Sequence, residues 1–220
     1  MINVKQSKSE LPVPVINEVH LHSMYDPIKE ADTFADKNQH VLESKNKILI
    51  LGLGFAYHVD ALLQRFNEVN KSIEKEIIVL EPNLELFNEC KSQKKLPNAK
   101  NIQYICGVKI NDLYSNYPFV NFLLETPGVI AHPASFNLNK KYFTNFLDYK
   151  ASGYLEDIKN ICADAKMREY LETANLTRWQ ELVYDTTHSK SINNPHDYLL
   201  MALKGFDSTS NDMMTGDLNE

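Results

Sequence analysis

KILILGLGFAYHVDALLQRFNEVNKSIEKEIIVLEP, residues Lys47–Pro82, contains every part of a βαβ unit. The apolar runs Ile48–Leu51 and Ile77–Leu80 are short and continuous, as expected for strands buried on both faces of a sheet. Between them, apolar residues recur at the spacing of one helix face: Val59, Leu62, Leu63 and Phe66. The order of strand, glycine turn, helix and strand predicts an α/β fold with a Rossmann-like, methyltransferase-like parallel sheet flanked by helices.

The glycine turn, Gly52–Ala56, is the first candidate for a binding site. Glycines let the chain reverse sharply and let a ligand approach the backbone closely. The helix that follows directs unpaired N–H groups and a positive dipole end toward the gap, which suits an anionic or polar ligand. Glu81 ends the second strand, where a carboxylate can accept hydrogen bonds from two ribose hydroxyls. The predicted cofactor-binding residues are therefore Gly52, Gly54, Tyr57, His58 and Glu81.

This turn departs from the known nucleotide-binding patterns. The dinucleotide pattern G-x-G-x-x-G requires glycine at Tyr57, which disfavours a nicotinamide dehydrogenase. The methyltransferase pattern G-x-G-x-G requires glycine at Ala56, and that family usually has an acid where this chain has Ile50. The alternative interpretation is a Rossmann-type turn that serves only the packing of strand against helix.

Further site candidates lie outside the βαβ unit. Asp26 is a good N-cap for a helix that begins at Pro27, and Tyr25 and Asp26 then lie on a loop that could face a cleft. Helix-start chemistry alone explains the same residues. His132 ends a predicted strand, Gly128–Pro133, and open α/β sheets bind ligands at the carboxyl ends of their strands. A histidine that only precedes a proline turn is the alternative.

The remaining segments divide the chain into regions. Three more strands are predicted, at Val19–Ser23, Ile102–Cys106 and Phe119–Leu124. The predicted organisation is a flexible arm (1–18), the Rossmann-like domain (19–137), a helical region that packs on it or links to a partner (138–206), and a disordered acidic tail (207–220). An edge strand around Val13–Ile16 is the alternative within the arm.

Composition narrows the class of protein. A net charge of -6 over 220 residues disfavours a nucleic-acid partner, because no basic surplus exists to neutralise phosphates. The 3 cysteines are scattered, as in a reduced cytoplasmic protein, and no apolar run reaches membrane-spanning length. No histidine or cysteine group has metal-ligand spacing, since His20 and His22 would need a third ligand from elsewhere, so no metal site is predicted.

Two stretches resemble the amino-terminal Rossmann-like domain of the motility accessory factor family. They are His22–Ala31 and Gly52–His58, and Glu81 followed by proline extends the resemblance. The family's usual turn is close to G-x-G-x-G-Tyr-His, and Ala56 replaces its last glycine here. The resemblance implies kinship with bacterial, cytoplasmic glycosyltransferases that are implicated in attaching nonulosonic acid sugars to flagellin.

The same resemblance limits what can be assigned. Family members are longer and carry a central sugar-nucleotide domain, whose G-x-G-P-S-L type turn is not found in these residues. We therefore expect a non-catalytic or accessory module, with flagellin or a glycosylation enzyme as partner. The alternative is an S-adenosylmethionine-dependent methyltransferase. The residues leave the ligand open between S-adenosylmethionine and a nucleotide sugar, and an enzyme, if it is one, would be a transferase.

Overall fold

The computed structural model describes residues 2–69, 75–150, 152–162, 165–174 and 176–188. They divide between Tyr149 and Lys150 into two compact units. The strands are β1 (Asn3–Gln6), β2 (Pro12–Ile16), β3 (Val19–His20), β4 (Lys47–Leu51), β5 (Glu76–Glu81), β6 (Ile102–Cys106) and β7 (Gly128–Ala131). The first unit's helices are α1 (Pro27–Lys37), α2 (Gln39–Ser44), α3 (Tyr57–Val69), α4 (Leu84–Ser92), α5 (Ile110–Tyr114), α6 (Tyr117–Leu124), α7 (Pro133–Leu138) and α8 (Lys140–Leu147).

A parallel four-stranded sheet forms the centre of the first unit. Its strand order is β6-β5-β4-β7, and β4 pairs in parallel with both β5 and β7. The chain thus moves outward from β4 to β6 and then returns to β4's other side with β7. This reversal is the topology of a Rossmann-like fold, and it confirms the predicted fold class.

Helices cover both faces of this sheet, which explains the continuous apolar runs. Along β4, Ile48 and Ile50 are buried on one face with α3, while Leu49 and Leu51 are buried on the other with α6 and α8. Alternate side chains of a strand point to opposite faces, so a strand covered on both sides must be apolar throughout. The predicted helix face from Val59 to Phe66 is buried against the first of these faces.

The segment Phe119–Leu124 was predicted as a strand, and that prediction is wrong. It lies in helix α6, where the Asn116 side chain accepts a hydrogen bond from the amide of Phe119. Phe119 and Phe122, three positions apart, are both buried under the sheet. Periodicity cannot separate a short buried helix from a buried strand, and here the cap at Asn116 decides.

The amino-terminal residues form strands where a flexible arm was expected, and the alternative strand around Val13–Ile16 is β2, which lies at the centre of its sheet instead of at the edge. Strands β1, β2 and β3 form an antiparallel sheet, with Val15 paired to Asn3 on one side and to His20 on the other. Asn17 and Glu18 connect β2 to β3 with φ of 49° and 66°, the left-handed backbone that a two-residue hairpin turn requires. Residues 12–16 are largely buried, so this small sheet belongs to the folded unit.

Helix α1 begins as its sequence predicts, and this start can be tested. The Asp26 side chain accepts hydrogen bonds from the amides of Ile28 and Lys29, at 3.1 and 3.0 Å, and Pro27 is the first helical residue. Asp26→Ala is expected to lower the free energy of unfolding by about 1 kcal/mol, because two amide donors lose their acceptor. Urea denaturation measures the change. Asp32→Ala, at an exposed position within the same helix, is the matched control, and an equal loss in both variants would contradict the capping role.

The second unit is helical, but it begins later than expected. Its helices are α9 (Leu155–Ile161), α10 (Ala165–Thr173) and α11 (Trp179–His188), and its core is formed by Leu155, Leu171 and Leu182. Helix α8 belongs to the first unit, because Phe143 and Phe146 are buried with the sheet; the boundary therefore lies at 149/150 instead of 137/138. The predicted acidic tail lies outside the described residues. Among these residues, none of the helices combines the length and apolar character needed to cross a membrane.

Candidate functional site

The glycine turn after β4 is closed by the protein's own side chains. The ring nitrogen Nε2 of His22 accepts a hydrogen bond from the amide of Phe55 at 2.9 Å. A Cβ atom added to Gly54 would lie 2.4 Å from that same nitrogen, and one added to Gly52 would lie 2.3 Å from Cβ of Ser135. The glycines therefore allow His22 and Ser135, not a ligand, to approach the backbone at these points.

Glu81 has a structural role that differs from the predicted contact with ribose. Its side chain is 0% exposed, Oε2 accepts a hydrogen bond from the amide of Leu53 at 2.8 Å, and Oε1 accepts one from the amide of Asn83 at 2.9 Å. Burial raises the pKa of Glu81 to about 7, although both amides favour the ionised form. The carboxyl group thus ties the glycine turn to the end of β5.

Ala56 occupies the position at which the G-x-G-x-G pattern has its last glycine. Its φ is 59°, in the left-handed region that glycine adopts freely and alanine adopts at a cost. A glycine at this position would adopt the same φ without that cost.

A pocket of about 530 Å³ lies beside the closed turn. It is lined by helix α1, the loop before it, His58 at the start of α3, and the residues around the start of α7. Its polar lining residues include His22, Tyr25, Asp26, Glu30, His58 and His132. Tyr25 is 67% exposed, whereas the three histidines are buried. The pocket thus has an accessible polar rim and a buried imidazole wall.

Three of the lining residues, His22, His58 and His132, form what we term the histidine cluster. The rings of His58 and His132 are stacked, with centroids 4.0 Å apart and an interplanar angle of 7°. The ring of His22 lies 5.0 Å from that of His132 and 5.6 Å from that of His58. The sequence indicates His58 and His132 as two separate site candidates. It does not show that His22 lies beside both of them.

A hydrogen bond determines which ring nitrogen of His58 carries the proton. The carbonyl oxygen of Gly52 can only accept, so Nε2 of His58 donates to it at 3.0 Å. The other ring nitrogen, Nδ1, is buried and has no hydrogen-bond partner. Burial, with a smaller contribution from repulsion between the protonated forms of His58 and His22, lowers the pKa of His58 to about 3, so the ring is neutral at physiological pH. The pocket wall therefore contains a buried lone pair that has no hydrogen-bond partner among the described residues.

The other two rings have polar partners. In His22, Nε2 is an acceptor, so the proton is on Nδ1, which lies 3.7 Å from Oε2 of Glu30. Burial lowers the pKa of His22, and Glu30 opposes this only in part. In His132, Nδ1 lies 2.8 Å from Oγ of Ser135, and burial again lowers the pKa. All three imidazoles are therefore uncharged at neutral pH.

The predicted site residues fall into separate groups. Tyr25, Asp26, His58 and His132 share the 530 Å³ pocket. Tyr57 instead lines a second pocket, of about 540 Å³, and its hydroxyl donates a hydrogen bond to the carbonyl oxygen of Pro12 at 2.9 Å. The remaining three, Gly52, Gly54 and Glu81, are among the lining residues of neither pocket. The structure thus moves the candidate site from the glycine turn to the cavity under α1.

Comparison with known proteins adds little to this geometry. No protein-family model matches the chain, and no curated protein matches it. Among solved structures, the chain is similar to MnmC2 from Aquifex aeolicus, with a TM-score of 0.42 and 13% sequence identity. The similarity covers 72% of this chain and 62% of the MnmC2 chain. The assignment of this chain to the Rossmann-like folds rests on its own strand order and helix layers.

Proposed function

We propose that this chain is a non-catalytic, Rossmann-like module that assists the glycosylation of flagellin or another surface protein. Its kinship would be with the amino-terminal domain of the motility accessory factors, and its partner would be a glycosylation enzyme or the protein that receives the sugar. The observation that carries the non-catalytic role is the closed glycine turn, where His22 and Glu81 bind the backbone amides that a nucleotide would need.

The contacts between the two resembling stretches support the proposed kinship. His22 belongs to the first stretch, and its Nε2 accepts the amide proton of Phe55 in the second. The ring of Tyr57, also in the second stretch, packs edge-on against His22 with centroids 5.1 Å apart. Residues far apart in sequence thus form one packed unit, as expected if both stretches are the signature of a shared domain.

One observation favours the alternative, an S-adenosylmethionine-dependent methyltransferase. The strand order β6-β5-β4-β7 brings the carboxyl ends of β4 and β7 together at a topological switch point, where such folds bind their ligands. Against it, the carboxyl group of Glu81 is buried and both its oxygens accept backbone amides. A ribose could reach Glu81 only if the groups that bury its side chain moved aside.

Deletion of the gene, followed by intact-mass spectrometry of flagellin and other surface proteins, tests the proposed role. We expect sugar masses to be lost in the deletion strain and restored by the wild-type gene. Glu81→Gln should restore them too, provided that the variant folds, because no catalytic or ligand-binding role is assigned to that carboxylate. Unchanged masses would contradict the proposal, and loss of methyl groups in place of sugars would favour the methyltransferase alternative.

A further inference from the structure

The histidine cluster is the feature that the proposed function leaves unexplained. His22, His58 and His132 are 5%, 1% and 6% exposed, and one ring nitrogen from each lies within 4.8 Å of those of the other two. Histidines are seldom fully buried without partners, because each ring must satisfy two polar atoms. Three such rings at one pocket wall offer three neutral ring nitrogens that could each donate a lone pair to a metal ion.

We propose that the histidine cluster binds a divalent transition-metal ion through one imidazole nitrogen from each residue, with the fourth position open to the 530 Å³ pocket. Neutral imidazoles suit zinc, copper, nickel and iron, and zinc is the probe for which the geometry is simplest. Three protein ligands with one open position are typical of zinc sites that hold a water molecule or a substrate. This inference does not depend on the proposed role in glycosylation.

The unpartnered nitrogen of His58 is the first argument for an ion. Its Nε2 proton is committed to Gly52, so the buried Nδ1 atom has only a lone pair to offer. A buried polar atom without a partner costs free energy, because its hydrogen bond to water is lost and not replaced. A metal ion at this nitrogen would remove that cost, and a lone pair on a neutral ring is what a metal ligand requires.

The outer partners of the rings are the second argument. Each ring has one nitrogen near an oxygen: the carbonyl oxygen of Gly52 for His58, Oγ of Ser135 for His132, and the carboxylate of Glu30 for His22. Metal-bound histidines almost always donate their second N–H to a carboxylate, a carbonyl or another oxygen, which orients the ring. These contacts are at hydrogen-bond distance for His58 and His132, whereas the carboxylate oxygen of Glu30 lies 3.7 Å from Nδ1 of His22.

Binding would require two local changes. Nε2 of His22 now accepts the amide proton of Phe55, so the ion would have to replace that amide as its partner. The stacked rings of His58 and His132 lie in nearly parallel planes, so one ring would have to tilt for both to reach one ion. Loss of the ring stacking on metal addition is therefore part of the expected response.

Zinc stoichiometry tests the proposal directly. The full chain is stripped with a chelator, incubated with zinc at micromolar concentration, passed through a desalting column and analysed by mass spectrometry for metal. We expect about one zinc per wild-type chain. His58→Gln and His132→Gln should lose it, whereas His20→Gln and His40→Gln, at exposed positions, should retain it. No retained zinc in the wild type, or full retention in folded His58→Gln, would overturn the proposal.

Two further measurements keep the test sound if a cluster variant fails to fold. Cobalt added to the wild-type chain should give the visible absorption of a four-coordinate ion with nitrogen ligands, and the spectrum of six-coordinate aqueous cobalt would overturn the assignment. Ser135→Ala removes the partner of His132 Nδ1 and leaves all three ligands, so zinc affinity should fall by about 10–100-fold. An unchanged affinity would count against the outer shell described here.

Discussion

Replacing Gly52 with alanine is expected to lower the free energy of unfolding by about 4 kcal/mol, because strained backbone and overpacking each cost about 1–3 kcal/mol. Gly52 has a φ of 99°, which alanine rarely adopts, and an added Cβ atom would lie 2.3 Å from Cβ of Ser135. The Cβ atom of Ser135 is fixed to the backbone of α7, so it cannot move aside as the far end of a flexible side chain could. Urea denaturation, monitored by circular dichroism, measures the loss.

Two comparisons separate the causes of that loss. Gly153→Ala is the general control, since the nearest atom to its added Cβ, Oε1 of Gln180, lies 3.5 Å away. Gly52→Ala in a Ser135→Gly background should cost less than Gly52→Ala alone, because the clash is then relieved while the backbone strain remains. If Gly52→Ala left stability unchanged, the turn would not be closed by Ser135, and the description of the site would be wrong.

Glu81 is expected to make stability depend on pH by about 3 kcal/mol, at about 1.4 kcal/mol for each unit by which a pKa changes on folding. Burial raises its pKa from 4.5 to about 7 in the folded protein. Below the unfolded pKa both states are protonated, so the contribution of the group is fully present there. As the pH rises toward 7, the unfolded state ionises first, and stability is lost.

The comparison of wild type with Glu81→Gln isolates this effect. The difference in unfolding free energy between the two proteins should fall by about 3 kcal/mol between about pH 4.5 and about pH 8. The buried histidines have lowered pKa values, so their contribution to stability is lost on acidification, opposite to that of Glu81. Because both proteins contain these histidines, their contribution cancels in the difference. Glu85→Gln, at an exposed position, controls for the removal of one carboxyl group. A difference that does not vary with pH would show that Glu81 ionises normally in the folded chain.

Sequence was enough to predict the parts of the fold that depend on local pattern. The run Ile48–Leu51 is apolar at every position because helices cover both sides of β4, and the spacing from Val59 to Phe66 matches one buried face of α3. Asp26 caps α1 as its position before Pro27 indicates. Each of these features leaves a pattern in the sequence that spans only a few residues.

The rest depends on contacts between distant parts of the chain. Glu81 was expected to face a ligand because its place at the end of β5 fits that role, but its oxygens bind the amides of Leu53 and Asn83. His22 closes the glycine turn from a loop that precedes it in sequence, and only the packed structure brings His58 and His132 beside it. No spacing within a short stretch of sequence indicates that these three rings lie together. For this reason the sequence did not predict a metal site.

Titration calorimetry with S-adenosylmethionine, and separately with NAD, tests most directly whether the glycine turn is a nucleotide site. Because His22 and Glu81 already bind the amides of Phe55 and Leu53, we expect no saturable heat and no Kd tighter than about 1 mM. A micromolar Kd for either compound that is lost in a folded Glu81→Gln variant would contradict the account, since it would show that this carboxylate is available to a ligand.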